Sequence, residues 1–334
     1  MKRILTYCLL LIGILLVVFY FWASASNLQH NEYLNIETYN STSNSLGDTL
    51  SICTYNIGYL SGMTNNRAVE RTKGLYDNNL ADAIKLFQSL NPDFIAFQEI
   101  DFDSDRSYNT NQMNEIAQAC YFHSGAMAVN WDKKYVPFPY WPPSSHFGEI
   151  LSGQAVLSKT GITNNDAEIL IKPESNPFYY NAFYLDRLAQ TTILDVDGEK
   201  LVIINVHLEA WDYVARAKQV QVVIDIFNKY AKDYPVLLVG DFNSTPPFAT
   251  TAYQPEDITT KLLFETELLE AAISKDNYLE DEKANFTFSS EEPSIKIDYI
   301  FYNQNKIEPV NARVVREAGQ ISDHLPVFFQ FKLK

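Results

Sequence analysis

The chain has 334 residues, 46% of them hydrophobic and 20% charged, which excludes a disordered chain, a collagen-like repeat and a disulfide-framed mini-protein. With 26 Lys plus Arg against 41 Asp plus Glu, the formal charge of −15 has the wrong sign for holding polyanions by bulk attraction, though it leaves room for a local basic cleft.

Lys2 and Arg3 precede an uncharged apolar run from Ile4 to Ala25. At about 1.5 Å per helical residue that run reaches about 30 Å, so residues 1–25 read as a retained membrane anchor. Ala23-Ser24-Ala25 fits the small-x-small pattern of signal peptidase, and a cleaved signal is the alternative. Either way the body is expected outside the cytoplasm, membrane-anchored or secreted. Residues 26–48 are polar and rich in Asn and Ser, with Asn40 to Ser45 as the clearest flexible stretch, and read as a linker ahead of one domain over 49–334. Beyond the apolar run only Cys53 and Cys120 remain, read as two buried thiols with one disulfide as the alternative.

Within the body, short apolar runs alternate with helical patterns, the signature of an α/β arrangement. Strands are predicted at Leu50 to Tyr55, Asp93 to Gln98, Gly153 to Leu157, Ala189 to Leu194, Leu201 to Val206 and Val236 to Val239. The carboxyl end returns to strand at Ile297 to Tyr302 and Val327 to Phe331. Runs such as Val236 to Val239 lack polar alternation, so both strand faces must be covered. Leu80, Ala83, Ile84, Phe87 and Leu90 mark one covering helix; Val214, Ala217, Val220, Ile224, Phe227 and Ala231 mark another, capped by Asp212. Trp131 to Phe147 interleaves six aromatic rings with Lys133, Lys134 and four prolines, and reads as a rigid aromatic loop. Such a loop stacks nucleobases, seats rings at a lipid headgroup layer, or simply packs on the surface.

Six strand endings turn abruptly polar: Thr54-Tyr55-Asn56, Phe97-Gln98-Glu99, Asn205-Val206-His207, Gly240-Asp241-Phe242-Asn243, Ile297-Asp298-Tyr299 and Ser322-Asp323-His324. A phosphodiester hydrolase needs neutralised phosphate oxygens, an in-line water and a proton for the departing oxygen. Glu99 offers a hard oxygen suited to Mg²⁺, Asn56 an uncharged one, and the two histidines are poised to move protons near neutral pH. Each motif alone is weak, Glu99 being equally a rim carboxylate and Asp241 to Asn243 an ordinary Asx turn.

In order and spacing, over residues from about 50 to 333, the six together resemble the endonuclease/exonuclease/phosphatase superfamily of nucleases, neutral sphingomyelinases and inositol-polyphosphate phosphatases. The resemblance implies a four-layer α/β/β/α sandwich of two mixed sheets flanked by helices, and a phosphoester hydrolase using Mg²⁺, with Mn²⁺ as the second choice. It implies Glu99, Asn56 and Asp323 at the metal, and His207, Asp241, Asn243, Asp298 and His324 in catalysis. Asp298 would orient His324; which histidine is base and which acid stays open. Arg187 and Arg106 are candidate phosphate grips, and Gln154 a substrate-side amide where many relatives carry Asn. Gly58 stands where some repair nucleases place a second metal carboxylate, which weakens a two-metal reading. The membrane segment, acidic body and aromatic loop favour a lipid headgroup or small phosphodiester over nucleic acid. A secreted nuclease is the alternative, and a non-catalytic binding module on the same fold is the other.

Overall fold

The computed structural model describes residues 2–40, 46–252 and 254–334. The apolar run forms one helix, α1 (Lys2–Ala23), long enough to cross a bilayer and bare along most of its length. Next come β1 (Leu34–Thr38), β2 (Leu50–Asn56), α2 (Lys73–Leu90), β3 (Phe94–Asp101), α3 (Gln112–Ala119), β4 (Ser124–Val136) and β5 (Gly148–Ser158). The second half runs β6 (Ile162–Leu170), α4 (Phe178–Asn181), β7 (Arg187–Val196), β8 (Glu199–His207), α5 (Tyr213–Ala231) and β9 (Val236–Asp241). It continues through α6 (Thr259–Phe264), β10 (Leu269–Ala271), α7 (Lys275–Glu280) and β11 (Asp298–Asn303), and the chain closes with β12 (Ile307–Val314) and β13 (Val327–Leu333).

Seven strands form one sheet in the order β1-β4-β5-β3-β2-β13-β12, and six form the other, β10-β11-β9-β8-β7-β6. Each sheet carries one parallel pair, β2 with β3 and β8 with β9, and each pair is joined by a crossover helix, α2 or α5. Helices cover the outer faces, giving the four layers expected from the resemblance. The unbroken apolar strands have their explanation in this layering. Along β8, Ile203 faces the opposite sheet while Val202, Ile204 and Val206 pack with Val220, Val223 and Phe227 of α5. Burying each such side chain contributes about 1.5–3 kcal/mol.

The helix boundaries follow local chemistry. Asp212 caps α5, its side chain accepting the Ala215 amide at 2.9 Å. α2 ends on Asn91 at φ 49°, immediately before Pro92.

Two expectations need correction. The linker assigned to 26–48 is not free chain throughout, because Leu34–Thr38 pairs antiparallel with β4 from Leu34↔Ala128 to Thr38↔Ser124. An edge strand satisfies its backbone through the neighbour, so a polar sequence suffices there. Of the Asn40 to Ser45 stretch, residues 41–45 lie outside the described residues. The predicted aromatic loop is half strand: Trp131, Lys133 and Tyr135 belong to β4, and only 137–147 connects it to β5. Cys53 and Cys120 are both free thiols.

Candidate functional site

The polar strand endings meet where the parallel pairs finish. Register places Asn56 beside Gln98, His207 beside Asp241, and Asp241 beside Asp298, so three neighbouring strands of the smaller sheet each contribute one group. This is the carboxyl-end rim that parallel strands present for ligands.

Local backbone aims each side chain. Pairing of β3 with β5 slips between Phe97 and Ile100, and within that bulge Glu99 takes φ 51°. The slip turns Glu99 out to the rim while Gln98 points inward, donating to Asn205 Oδ1 across the sheets at 2.7 Å. Gly240 has φ 137°, and a Cβ there would stand 1.9 Å from the Val206 carbonyl oxygen. Only glycine lets β9 approach β8 so closely, which is what sets Asp241 opposite His207.

The resulting contacts link both sheets. Asn56 Nδ2 lies 3.0 Å from Asp241 Oδ2 and 3.3 Å from Glu99 Oε1. His207 Nε2 sits 3.5 Å from Asp241 Oδ2 and 3.8 Å from Glu99 Oε1. His324 turns Nε2 to the same Asp241 oxygen at 3.8 Å, and Nδ1 to Asp298 Oδ2 at 3.0 Å. Asp241, Asp298 and His324 are buried, whereas the Glu99 side chain is 22% exposed and marks the open side.

Burial and neighbouring charges set these groups apart. His207 is pushed well below its usual pKa by burial, with the Arg187 and His324 charges adding to the effect. Burial also opposes charge on His324, but Asp298 and Asp241 outweigh it and hold the ring protonated, well above its ordinary value. Burial lifts Asp241 to about 7, with His324 pulling it down and Asp298 pushing it up. Near neutral pH the site therefore holds one neutral imidazole, one imidazolium and a carboxyl on the edge of ionisation.

Asn65, which carries no sequence signal, is the group the motifs missed. Its Nδ2 bridges Asp323 (3.1 and 3.2 Å) and Glu99 Oε2 (3.3 Å), drawing two carboxylates together. Its Oδ1 is buried without a hydrogen-bond partner. Glu99 and Asp323, gathered by this one amide, supply the hard carboxylate oxygens that fit a divalent cation. Asn56 differs from expectation: its oxygen accepts the Gly58 amide at 3.1 Å, so it faces the site as an N–H donor rather than as an oxygen ligand. A side chain at Gly58 would strike Ser322 Oγ at 2.9 Å.

Among the remaining candidates, Arg187 is buried with Nε and Nη1 unpartnered; Nη2 donates to the Tyr184 hydroxyl at 3.1 Å, and Glu209 lies 3.7 Å from Nε. Two free donors on a buried guanidinium beside His207 suit a phosphate oxygen. Tyr184 and Glu209 were not anticipated. Asn243 donates its backbone amide to Asp241 Oδ1 at 2.9 Å, the Asx turn, and its side-chain amide to the Leu208 carbonyl at 3.0 Å.

Two candidates fall away. Arg106 is committed to Asp101 through two bonds of 3.0 and 2.7 Å, with its guanidinium 3.7 Å over the Tyr59 ring, so it has no free fork for phosphate. Gln154 is wholly buried, donating to the Asn205 carbonyl at 2.8 Å between the sheets.

A sequence profile of the Endonuclease/Exonuclease/phosphatase family matches residues 53–324. Two curated relatives, UPF0294 proteins from strains of Vibrio cholerae, are 23% identical over 137 residues, covering 41% of this chain and 42% of theirs. The chain thus spans less than half the length of the curated relatives it matches. Among solved structures, an endonuclease/exonuclease/phosphatase from Beutenbergia cavernae matches with TM-score 0.62 and 20% identity, covering 86% of this chain and 72% of that one. The human Nocturnin catalytic domain with bound sulfate gives 0.58 and 16%, over 90% and 98%. The mannosyl-6-phosphatase Bt3783 of Bacteroides thetaiotaomicron gives 0.56 and 16%, over 85% and 99%. At these identities the structural likeness is one of fold.

Proposed function

The chain belongs to the endonuclease/exonuclease/phosphatase family, and from that premise we propose that it is a divalent-metal-dependent phosphodiesterase acting outside the cytoplasm on a lipid or small-molecule phosphodiester. The observation that carries this reading is the convergence of Glu99, His207, Asp241 and His324, with Asp241 Oδ2 within 3.8 Å of both imidazoles. Glu99 and Asp323 would hold Mg²⁺ or Mn²⁺; such an ion supplies charge neutralisation at the phosphate.

This chain's own groups divide the remaining work. Asp241, lifted to about 7, orients the attacking water and takes its proton. His324, held as imidazolium by Asp298, donates Nε2–H to an oxygen of the phosphate or to the departing oxygen. Neutral His207 donates Nε2–H to another phosphate oxygen, and the free Arg187 donors add a third contact. Asn56, tied to Asp241 and Glu99, fixes the carboxylates relative to each other. The preference for a lipid or small substrate over nucleic acid rests on the −15 charge and on α1 as a membrane anchor.

The test is a parallel assay with Mg²⁺, with and without chelator, on sphingomyelin vesicles, bis(p-nitrophenyl) phosphate, linear DNA and RNA. Chelator-sensitive cleavage of a lipid or the chromogenic diester is expected. Cleavage of nucleic acid alone overturns the substrate class, and undiminished turnover in chelator overturns the metal reading.

A further inference from the structure

The end of α1 is built into the catalytic body rather than separated from it. Ala25 accepts the Lys134 amide at 2.9 Å, Ser24 accepts Lys133 Nζ at 3.2 Å, and the Asp132 carboxylate receives the amides of Asn27 and Leu28 at 2.8 and 2.9 Å. The last two turns touch the body through rings: Phe19 and Trp22 against Tyr135 at 5.9 and 6.1 Å, and Tyr20 against Phe183 and Phe178 at 5.8 and 6.4 Å. A helix of 22 residues spans about 33 Å at 1.5 Å per residue, the full thickness of a hydrocarbon core. Whatever surrounds Trp22 in the bilayer therefore also surrounds the neighbouring surface of the body.

That surface is unusual for an acidic protein. Tyr140 and Trp141, on the β4–β5 connection, are 64% and 75% exposed, and Phe178 and Tyr179 of α4 are 77% and 59% exposed. The connection is braced: the Tyr135 hydroxyl meets His146 Nδ1 at 2.8 Å, and His146 Nε2 meets the Tyr140 carbonyl at 3.0 Å. Exposed aromatic rings, two of them on this braced connection, match the headgroup layer, where Tyr and Trp are enriched.

We infer that the rim formed by Tyr140, Trp141, Phe178 and Tyr179 lies in the headgroup layer of the bilayer that α1 crosses, so that the catalytic body rests against the membrane surface instead of swinging free of it. The rim also leads to the site, since Tyr180 stacks on Tyr184 at 5.1 Å and Tyr184 holds Arg187. The inference rests on α1 crossing a bilayer and is independent of the reaction catalysed.

The experiment uses the full chain reconstituted in phosphatidylcholine vesicles containing some phosphatidylglycerol and headgroup-spin-labelled lipid. Tryptophan fluorescence is compared between the parent protein and W141F, so that the difference reports Trp141 alone. The expected result is a blue-shifted Trp141 signal quenched by the labelled lipid, with the shift and quenching diminished in F178S. A Trp141 signal unquenched by labelled lipid and open to aqueous acrylamide overturns the inference. So does one shielded from acrylamide yet unquenched by lipid, which would assign the rim to a second copy or another protein. Neither readout depends on turnover, so failure of the phosphodiesterase reading leaves this test intact.

Discussion

Replacing Gly240 by alanine should damage stability and turnover together, in a ratio that a simple strain effect cannot reproduce. The new Cβ would sit 1.9 Å from the Val206 carbonyl oxygen, whereas ordinary contact begins near 3.4 Å, so β9 must retreat from β8 by about 1.5 Å. The φ of 137° adds about 1–3 kcal/mol for any residue with a Cβ. Because Asp241 follows directly and pairs in register with His207, that retreat carries the carboxylate away from both imidazoles. A misplacement of about 1 Å costs on the order of 100-fold in rate. Gly198 supplies the control: it has φ 92° in the turn between β7 and β8, with nothing within 4 Å of its would-be Cβ. G198A should therefore lose about 1–3 kcal/mol in urea unfolding and keep its kcat on a chromogenic diester. G240A should lose more stability and at least about 100-fold in kcat. If G240A matched G198A in both measurements, the close approach of the two strands would not be what positions Asp241.

Other expectations follow from single contacts. R106M should destabilise by about 3–5 kcal/mol in denaturant titration, because Asp101 is left charged and unpaired, yet leave KM unchanged; R187M should raise KM or lower kcat, and the reverse pattern would exchange the roles of the two arginines. N65A should weaken Mn²⁺ binding, followed by electron paramagnetic resonance, by about 10- to 100-fold, since it removes the group that gathers Glu99 and Asp323; unaltered binding would place the ion elsewhere. Burial pushes the Asp257 carboxyl up, but Arg216 at 2.6 Å more than offsets it, leaving the folded pKa below the ordinary carboxylate value. Its contribution is then fully present above the unfolded pKa near 4 and lost as pH falls through the folded value. D257N should accordingly flatten the acid side of the stability curve, and parallel curves for variant and parent would refute the sign.

The parts of the fold that the sequence revealed are those in which side chains carry the energy. β8 and β9 bury both faces and so appear as unbroken apolar runs, and α5 displays its cap and its stripe. β6 is different: Thr163, Asn164, Asn165 and Asp166 are polar, and the strand exists because its backbone is completed by β7. β1 is legible only by its neighbour for the same reason. At the site, strand-end motifs located Glu99, His207, Asp241, Asp298 and His324, since a polar residue ending an apolar strand must emerge at a rim. Asn65 lies in a loop where asparagine is unremarkable, and its meaning comes only from the two carboxylates it reaches. Arg106 shows the converse: its partner Asp101 is five residues away, a spacing matched by neither helix nor strand, so nothing in the order of residues marked it as already engaged.

The β2-α2-β3 and β8-α5-β9 crossovers, with β11, divide the site's groups between the sheets, Asn56 and Glu99 on one and His207, Asp241 and Asp298 on the other. The site thus lies on a seam between the sheets, and the seam has its own fasteners: Asn205 clasps Gln98 and the Phe97 carbonyl at 2.7 and 3.0 Å. Loosening that clasp would let the halves shear, parting the groups of the site without altering a single one of them.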